Sequence, residues 1–303
     1  MLKEVNGTKI KAKLAIAFLF LFLAIAGFSI KTFADTSTGQ VAVTNVAPSV
    51  SSITLWNEAT ADSAITLTAG SNITVMANAT ITDTNGGGDI SSANATLFNY
   101  VYSNESGPAD ENYKVVNSSC GLSAASGNTK TATCTFTLGY MITNGTWTVN
   151  ITAWDFGSTN LTASGADNNT VNTLASLDVL NATIDHGTLS LGANSSASKA
   201  MTVISLSNLQ MDSRFSGTNF SCTVGAINVS DTRYSLTSGD YDSMSTDLTN
   251  ATVTQSTFDL GVRGIATAEG TNSTKDEFWT IKLASSGIGG TCTNTLYVTA
   301  IAS

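Results

Sequence analysis

Between Asn72 and Ile81 the chain alternates. Ile73, Val75, Ala77, Ala79 and Ile81 are apolar, while Asn72, Thr74, Asn78 and Thr80 are polar. A period of two is that of a β-strand with one face buried and the other in water; a helix would scatter the same residues around its circumference. The pattern recurs in Trp147-Thr-Val-Asn-Ile-Thr-Ala153 and in Ala132-Thr-Cys-Thr-Phe-Thr-Leu138, where Cys134 shares the apolar face with Phe136. Past residue 34 no stretch carries the pattern of a long amphipathic helix. Short segments rich in Thr, Val and Ile are separated by clusters of Gly, Asn, Asp and Ser, and this spacing predicts an all-β chain of antiparallel β-sandwiches.

A second signal lies on the polar parity. Past residue 34, N-x-S/T sequons occur at Asn72, Asn78, Asn94, Asn104, Asn117, Asn144, Asn150, Asn160, Asn168, Asn181, Asn194, Asn219, Asn228, Asn250 and Asn272. That is about twice the number that the Asn, Ser and Thr content alone would give. A sequon has meaning only where a glycosylation machinery meets it, outside the cytoplasm. Asn72, Asn78 and Asn150 fall opposite the apolar parity of their strands, where a glycan has room, so each is expected to point outward.

The N-terminus agrees with that compartment. Lys3, Lys9, Lys11 and Lys13 precede an uncharged apolar run from Leu14 to Ile30, and Thr32-Phe-Ala34 offers a small residue at a cut site. This reads as a secretory signal over residues 1–34, cleaved after Ala34. Left uncleaved, the helix of residues 14–30 would be a membrane anchor at the short end of spanning length. With no apolar tail at the C-terminus, retention at a surface would come from the N-terminal segment, from lattice contacts, or not at all.

Past residue 34 the chain keeps eight Lys and Arg against twenty-one Asp and Glu, a net charge of −13. Such a surface repels phosphate backbones and argues against a nucleic-acid partner. About 270 residues can bury one large core or two ordinary ones. Two tandem domains are expected, at 48–172 and 173–303, following an extended leader at 35–47. The polar stretch Asp167-Asn-Asn-Thr-Val-Asn-Thr173 suits the boundary. In the second domain the clearest strands are Phe220–Val224, Trp279–Leu283 and Leu296–Ala300, with Asn219 opposite the apolar parity.

Cys120, Cys134, Cys222 and Cys292 make an even count, and in a secreted chain they read as disulfides. Pairing Cys120 with Cys134 and Cys222 with Cys292 keeps each bridge inside one domain. The second would join an early strand to the last one, and in the chain-entropy model a loop of about seventy residues contributes ~4 kcal/mol. Zinc is the rival use of these cysteines, but no C-x-x-C spacing exists and there is one His.

Several segments resemble the Ig-like modules of archaeal secreted cell-surface proteins of the S-layer or adhesin type. They are Asn45-Val-Ala-Pro-Ser-Val-Ser-Ser-Ile-Thr-Leu55, Asp83-Thr-Asn-Gly-Gly-Gly-Asp-Ile90 and Gly145-Thr-Trp-Thr-Val-Asn-Ile-Thr-Ala-Trp-Asp155, with Asp276–Cys292 and the terminal Tyr297–Ser303 similar to a closing hairpin. The resemblance implies Ig-like sandwiches and surface display. Modules of this kind share no active site, so it carries no functional residue over.

Three features could carry chemistry. Asp83, Asn85 and Asp89 offer oxygen ligands at i, i+2 and i+6 around a Gly-Gly-Gly turn, a partial wrap for Ca²⁺ that lacks the bidentate Glu of a full calcium loop. Without calcium the same residues make a polar turn between strands. His186, the single histidine, would be the base of a hydrolase, but no G-x-S-x-G elbow accompanies it and it reads as a surface-turn residue. Trp56, Trp147, Trp154 and Trp279 could stack on sugar rings where exposed. Trp147 and Trp279 lie on the apolar parity of their strands and read as core. Trp154 falls on the polar parity, where it could line a binding patch or sit under a loop.

The leader from Asp35 to Ala47, with Gln40-Val-Ala-Val-Thr44 alternating, could add to a neighbour's open sheet edge, or could be a flexible leader that clears the cell wall or membrane. The expected protein is therefore non-catalytic, extracellular and glycosylated, with a structural or adhesive role. Its partners would be other surface proteins or copies of itself. A filament or surface-layer subunit joined by strand donation is the alternative. A secreted sugar-binding module or enzyme is a third.

Overall fold

The computed structural model describes residues 39–57, 64–107, 110, 112–156, 160–262 and 273–303; for 160–166 and 254–257 it describes the backbone alone. The expected signal or anchor helix at 1–34 lies outside the described residues, among which no helix is long and apolar enough to cross a membrane. Residues 39–44 belong to one compact unit and Asn45–Ser303 form another. In the first, residues 39–44 have no regular structure, and Val41 and Val43 are exposed.

The chain from Asn45 is all-β. Its first strands are β1 (Ser49–Asn57), β2 (Ala64–Ile65), β3 (Ile73–Thr82), β4 (Ile90–Asn99), β5 (Lys114–Asn117), β6 (Gly121–Leu122), β7 (Thr129–Leu138), β8 (Gly145–Asp155) and β9 (Asn160–Val171). They form two sheets, in the orders β1-β3-β7-β6 and β2-β9-β8-β4-β5. All pairs are antiparallel except the short parallel pair of β2 with β9. The inward residues follow the parity read from the sequence. Val75, Ala77, Ala79 and Ile81 of β3 and Ala132, Cys134, Phe136 and Leu138 of β7 are buried on one sheet. Trp147, Val149, Ile151 and Ala153 of β8 are buried on the other. All belong to one apolar cluster between the sheets, and each fully buried Val, Leu, Ile or Phe side chain contributes about 1.5–3 kcal/mol.

The chain continues through β10 (Leu177–Val179), β11 (Lys199–Ser205), β12 (Met211–Gly217), β13 (Phe220–Val224), β14 (Ala226–Ile227), β15 (Thr232–Ser235), β16 (Thr246–Asp247), β17 (Val253–Leu260), β18 (Thr274–Ile281), β19 (Gly289–Thr293) and β20 (Leu296–Ala302). The sheets β10-β11-β18-β15-β16 and β17-β12-β20 enclose a separate cluster. At its centre Phe215 meets Tyr234, Phe258 and Trp279, with ring centroids 5.5, 6.1 and 5.5 Å away. These tilted and edge-on geometries suit aromatic quadrupoles better than face-to-face stacking.

Three expectations are corrected. Asp167–Val171 is not a linker but the end of β9, hydrogen-bonded to β8 and β2. Its polar side chains have partners on another strand: an Asp167 oxygen accepts from the Leu55 backbone N–H, and the buried Asn169 amide donates to the Leu55 carbonyl at 3.1 Å. Second, β13 does not enter the core. It pairs with β14 and β19 in a small outer sheet, and Val224 is exposed. Third, Cys222 is bonded to Cys292 directly across the β13–β19 ladder, so the bridge reaches the penultimate strand rather than the last. Cys120 is bonded to Cys134, and both are buried in the first core.

Between the two clusters the chain is fixed by Asn208. Its Oδ1 accepts from the Leu174 N–H at 2.7 Å and its Nδ2 donates to the Asn172 carbonyl at 2.9 Å. The Asn172 N–H in turn donates to the Ile65 carbonyl.

Candidate metal centre

At one end of the first sandwich the chain leaves β3 at Thr82, turns through Asp83–Gly86, makes a 3₁₀ turn at Gly87–Asp89 and enters β4 at Ile90. Glycine is required twice here. Gly86 has φ +122°, a region closed to other residues. A Cβ on Gly87 would lie 2.8 Å from the Thr129 carbonyl oxygen. The Gly87 N–H donates to the Gly127 carbonyl and the Asp83 N–H to the Asn128 carbonyl, which fastens the turn to the hairpin before β7.

The β4–β8 register then sets Ile90 opposite Asp155, the last residue of β8. As a result Asp83, Asp89 and Asp155 each place a carboxylate oxygen within 4.8 Å of the others. Asp83 is fully buried, Asp155 is buried and Asp89 is half-buried. Asp83 Oδ1 accepts from the Asn85 N–H at 2.7 Å, whereas Oδ2 is buried with no hydrogen-bond partner. Burying a carboxylate oxygen without a partner is costly unless a cation or donor meets it.

Asn85 is placed differently from Asp83 and Asp89. Its Oδ1 accepts from the Val46 N–H at 2.8 Å. On the same side the Asn45 amide donates to Asp155 Oδ2 at 2.8 Å. Asp155, which the local sequence pattern did not include, is the residue that closes the cluster; its only sequence signal is an acid at the polar end of a strand.

Beside the cluster an open groove of about 440 Å³ is lined by Ser91, Ser92, Ala93, Asn94, Ser118, Trp154 and Asp155. Trp154 lies half-buried in it, next to the sequon Asn94, while Trp147 and Trp279 are core and Trp56 is half-buried. His186 is half-buried in a turn in which the Gly187 N–H donates to Asp185. Burial, with Lys199 adding to it and Asp185 opposing it, lowers its pKa to about 4, so it is neutral at pH 7.

The second core holds a different buried acid. Glu277 of β18 is fully buried, and neither carboxylate oxygen has a partner. Burial pushes its pKa up to about 9, and it contributes to raising that of neighbouring Tyr234, whose main cause is burial.

The sequon asparagines divide by exposure. Asn72, Asn104, Asn168, Asn181, Asn219, Asn228 and Asn250 are exposed, and Asn78, Asn94, Asn117, Asn144 and Asn194 are half-buried. Asn272 lies outside the described residues, as does the side chain of Asn160. Asn150 is the exception to the outward expectation. It lies on the polar parity, but the segment before β5 covers it, leaving it 6% exposed with its amide donating to Glu105 Oε2 at 2.9 Å. Lys114 holds that segment in place through hydrogen bonds to the Glu105 and Gly107 carbonyls.

No family model and no curated protein matches this chain. Among solved structures, the chain is weakly similar to the C-terminal domain of the AgI/II polypeptide BspA from Streptococcus agalactiae. The identity is 10% and the TM-score 0.19, over 82% of this chain and 98% of that one. A second structure, titled BspA_C_WT, gives 9% identity and a TM-score of 0.21 at the same coverage.

Proposed function

We propose that this chain is a non-catalytic, N-glycosylated extracellular protein with a structural or adhesive role, of the kind displayed on archaeal surfaces. The observation that carries the reading is the pair of disulfides in an all-β chain, because structural disulfides persist in oxidising compartments. The exposed sequon asparagines support it, since a glycan needs its acceptor in water. We divide the chain into domains at 48–172 and 173–303, supported by two apolar clusters that share no residue.

A contact surface is available on the loop after β4, where Tyr100, Val101 and Tyr102 are 74, 73 and 62% exposed. Three large apolar side chains side by side in water are a feature of interaction sites. Intact-mass and peptide mapping of protein from its native cells tests the reading. Expected are no free thiols, and glycan masses on exposed sites such as Asn72, Asn104 and Asn228. Four free thiols with bare asparagines would sink it.

A second reading has one observation in its favour. Val41 and Val43 alternate with the small or polar residues Gln40, Ala42 and Thr44 in a segment that forms no strand, and both are highly exposed. Such a segment can add to a sheet edge of another copy and build a filament or surface layer. Deleting residues 35–44 should then reduce the assembly to monomers by light scattering; an unchanged size rejects strand donation.

A further inference from the structure

We infer that Asp83, Asp89 and Asp155 form a divalent-cation site selective for Ca²⁺, and that the bound ion fixes the entry of the chain into the first sandwich at Asn45 and Val46. Three carboxylates within 4.8 Å concentrate negative charge on one spot. Among the described residues neither Asp83 nor Asp89 has an ion pair, and the nearby Lys130 ammonium donates to the Ile90 carbonyl at 2.7 Å. The independent observation is Asp83 Oδ2. In a side chain with no solvent exposure, this carboxylate oxygen has no hydrogen-bond partner. A cation supplies the missing partner and offsets the repulsion among the three acids.

The donor set selects the ion. Carboxylate oxygens with no Cys or His ligand suit a hard cation rather than zinc. Two oxygens bound to one Ca²⁺ ion at 2.3–2.6 Å can lie up to about 4.6–5.2 Å apart, whereas Mg²⁺ at 2.0–2.1 Å holds them within about 4.2 Å. The three oxygens, all within 4.8 Å of one another, fall inside the span that the larger ion can bridge. Three protein carboxylates leave coordination positions for water, which is characteristic of weak extracellular calcium sites with Kd on the order of 10⁻⁴–10⁻³ M.

The ion would hold together the turn after β3, the 3₁₀ turn before β4 and the end of β8. Asp155 and Asn85 also hold Asn45 and Val46 through the hydrogen bonds at 2.8 Å. Ordering the carboxylates therefore also orders the chain where it enters the sandwich.

The experiment uses the chain from Asp35 to Ser303, with disulfides formed, dialysed against EDTA. At 10 mM CaCl₂, about a hundred times a Kd of 10⁻⁴ M, linkage predicts a rise in Tm of about 5–10 °C. An equal concentration of MgCl₂ should give less than half of that. Asp83→Asn and, separately, the more exposed Asp89→Asn should abolish most of the shift while their circular-dichroism spectra stay β-type. Asp178→Asn, an exposed acid of β10, should retain the shift in full. Calcium should also slow proteolysis near Val46 in the parent chain and not in Asp89→Asn. No calcium shift in the parent chain overturns the site, as does a shift that survives in both Asp83→Asn and Asp89→Asn.

Discussion

Replacing Glu277 by Gln should stabilise the second sandwich at neutral pH, and the gain should grow with pH. In the folded protein the Glu277 carboxyl holds its proton up to about pH 9, because burial penalises the charged form. In the unfolded chain the same group ionises near pH 4.5. Folding at pH 7 must therefore bind a proton to a group that would otherwise be ionised. The cost is about 1.4 kcal/mol for each pH unit above 4.5, or about 3 kcal/mol at pH 7. The raised pKa fixes the sign: the contribution of this residue is fully favourable below pH 4.5 and is lost steadily as pH rises towards 9. A Gln amide fits the same space and is neutral at every pH, so it keeps the burial and removes the proton uptake. Urea denaturation followed by the fluorescence of the four tryptophans, of which Trp279 lies in the second core, should show the two proteins within about 1 kcal/mol at pH 5. Glu277→Gln should be ahead by about 3 kcal/mol at pH 7 and by about 5 at pH 8.5. Parallel stability curves across that range would show that the carboxyl is hydrated or paired in the native state, and the reasoning would fail.

Asn208→Ala leaves the Leu174 N–H and the Asn172 carbonyl without their side-chain partner, and should cost about 2–4 kcal/mol by chemical denaturation; a loss under about 0.5 would mean that water replaces the amide. The double change Cys120→Ser with Cys134→Ser opens a 14-residue loop in a buried position. It should cost about 3 kcal/mol or more, read as a fall in Tm of the first sandwich. Asn150→Gln should leave the glycan mass of the native protein unchanged, since that asparagine is covered; a missing glycan in the variant would show that the covering segment opens. Gly87→Ala should lower stability and weaken any calcium response together, because its Cβ meets the Thr129 carbonyl.

The alternation at Ile73–Ile81 and Trp147–Ala153 foretold the two facing sheets because burial of one pleat face is a local property of sequence. Partnership is not local. Asp83 and Asp89 stand six residues apart and were legible as a pair. Asp155 joins them only because the β4–β8 register brings the end of β8 to Ile90. Asp167 and Asn169 look like linker residues because their partner, the Leu55 backbone, is more than a hundred residues away in the sequence. Asn150 obeys the right parity and is still buried, because parity says which face a residue is on and not whether a loop lies over that face. The Phe220–Val224 pattern is equally apolar by alternation, yet pairing with β19, bridged by Cys222 and Cys292, holds it in an outer sheet.

The parallel pairing of β2 with β9 has a mechanical consequence. Two strands running the same way, one near the entry to the first sandwich and the other near its exit, have their loaded ends on opposite sides of the pair. A pull on the chain from both ends therefore acts along the strands and loads their bonds at once, together with the grip of Asp167 and Asn169 on Leu55. In an antiparallel hairpin pulled from its open end the rungs would break in succession. A strand pair built this way resists stretching as a block, and yields abruptly when it yields.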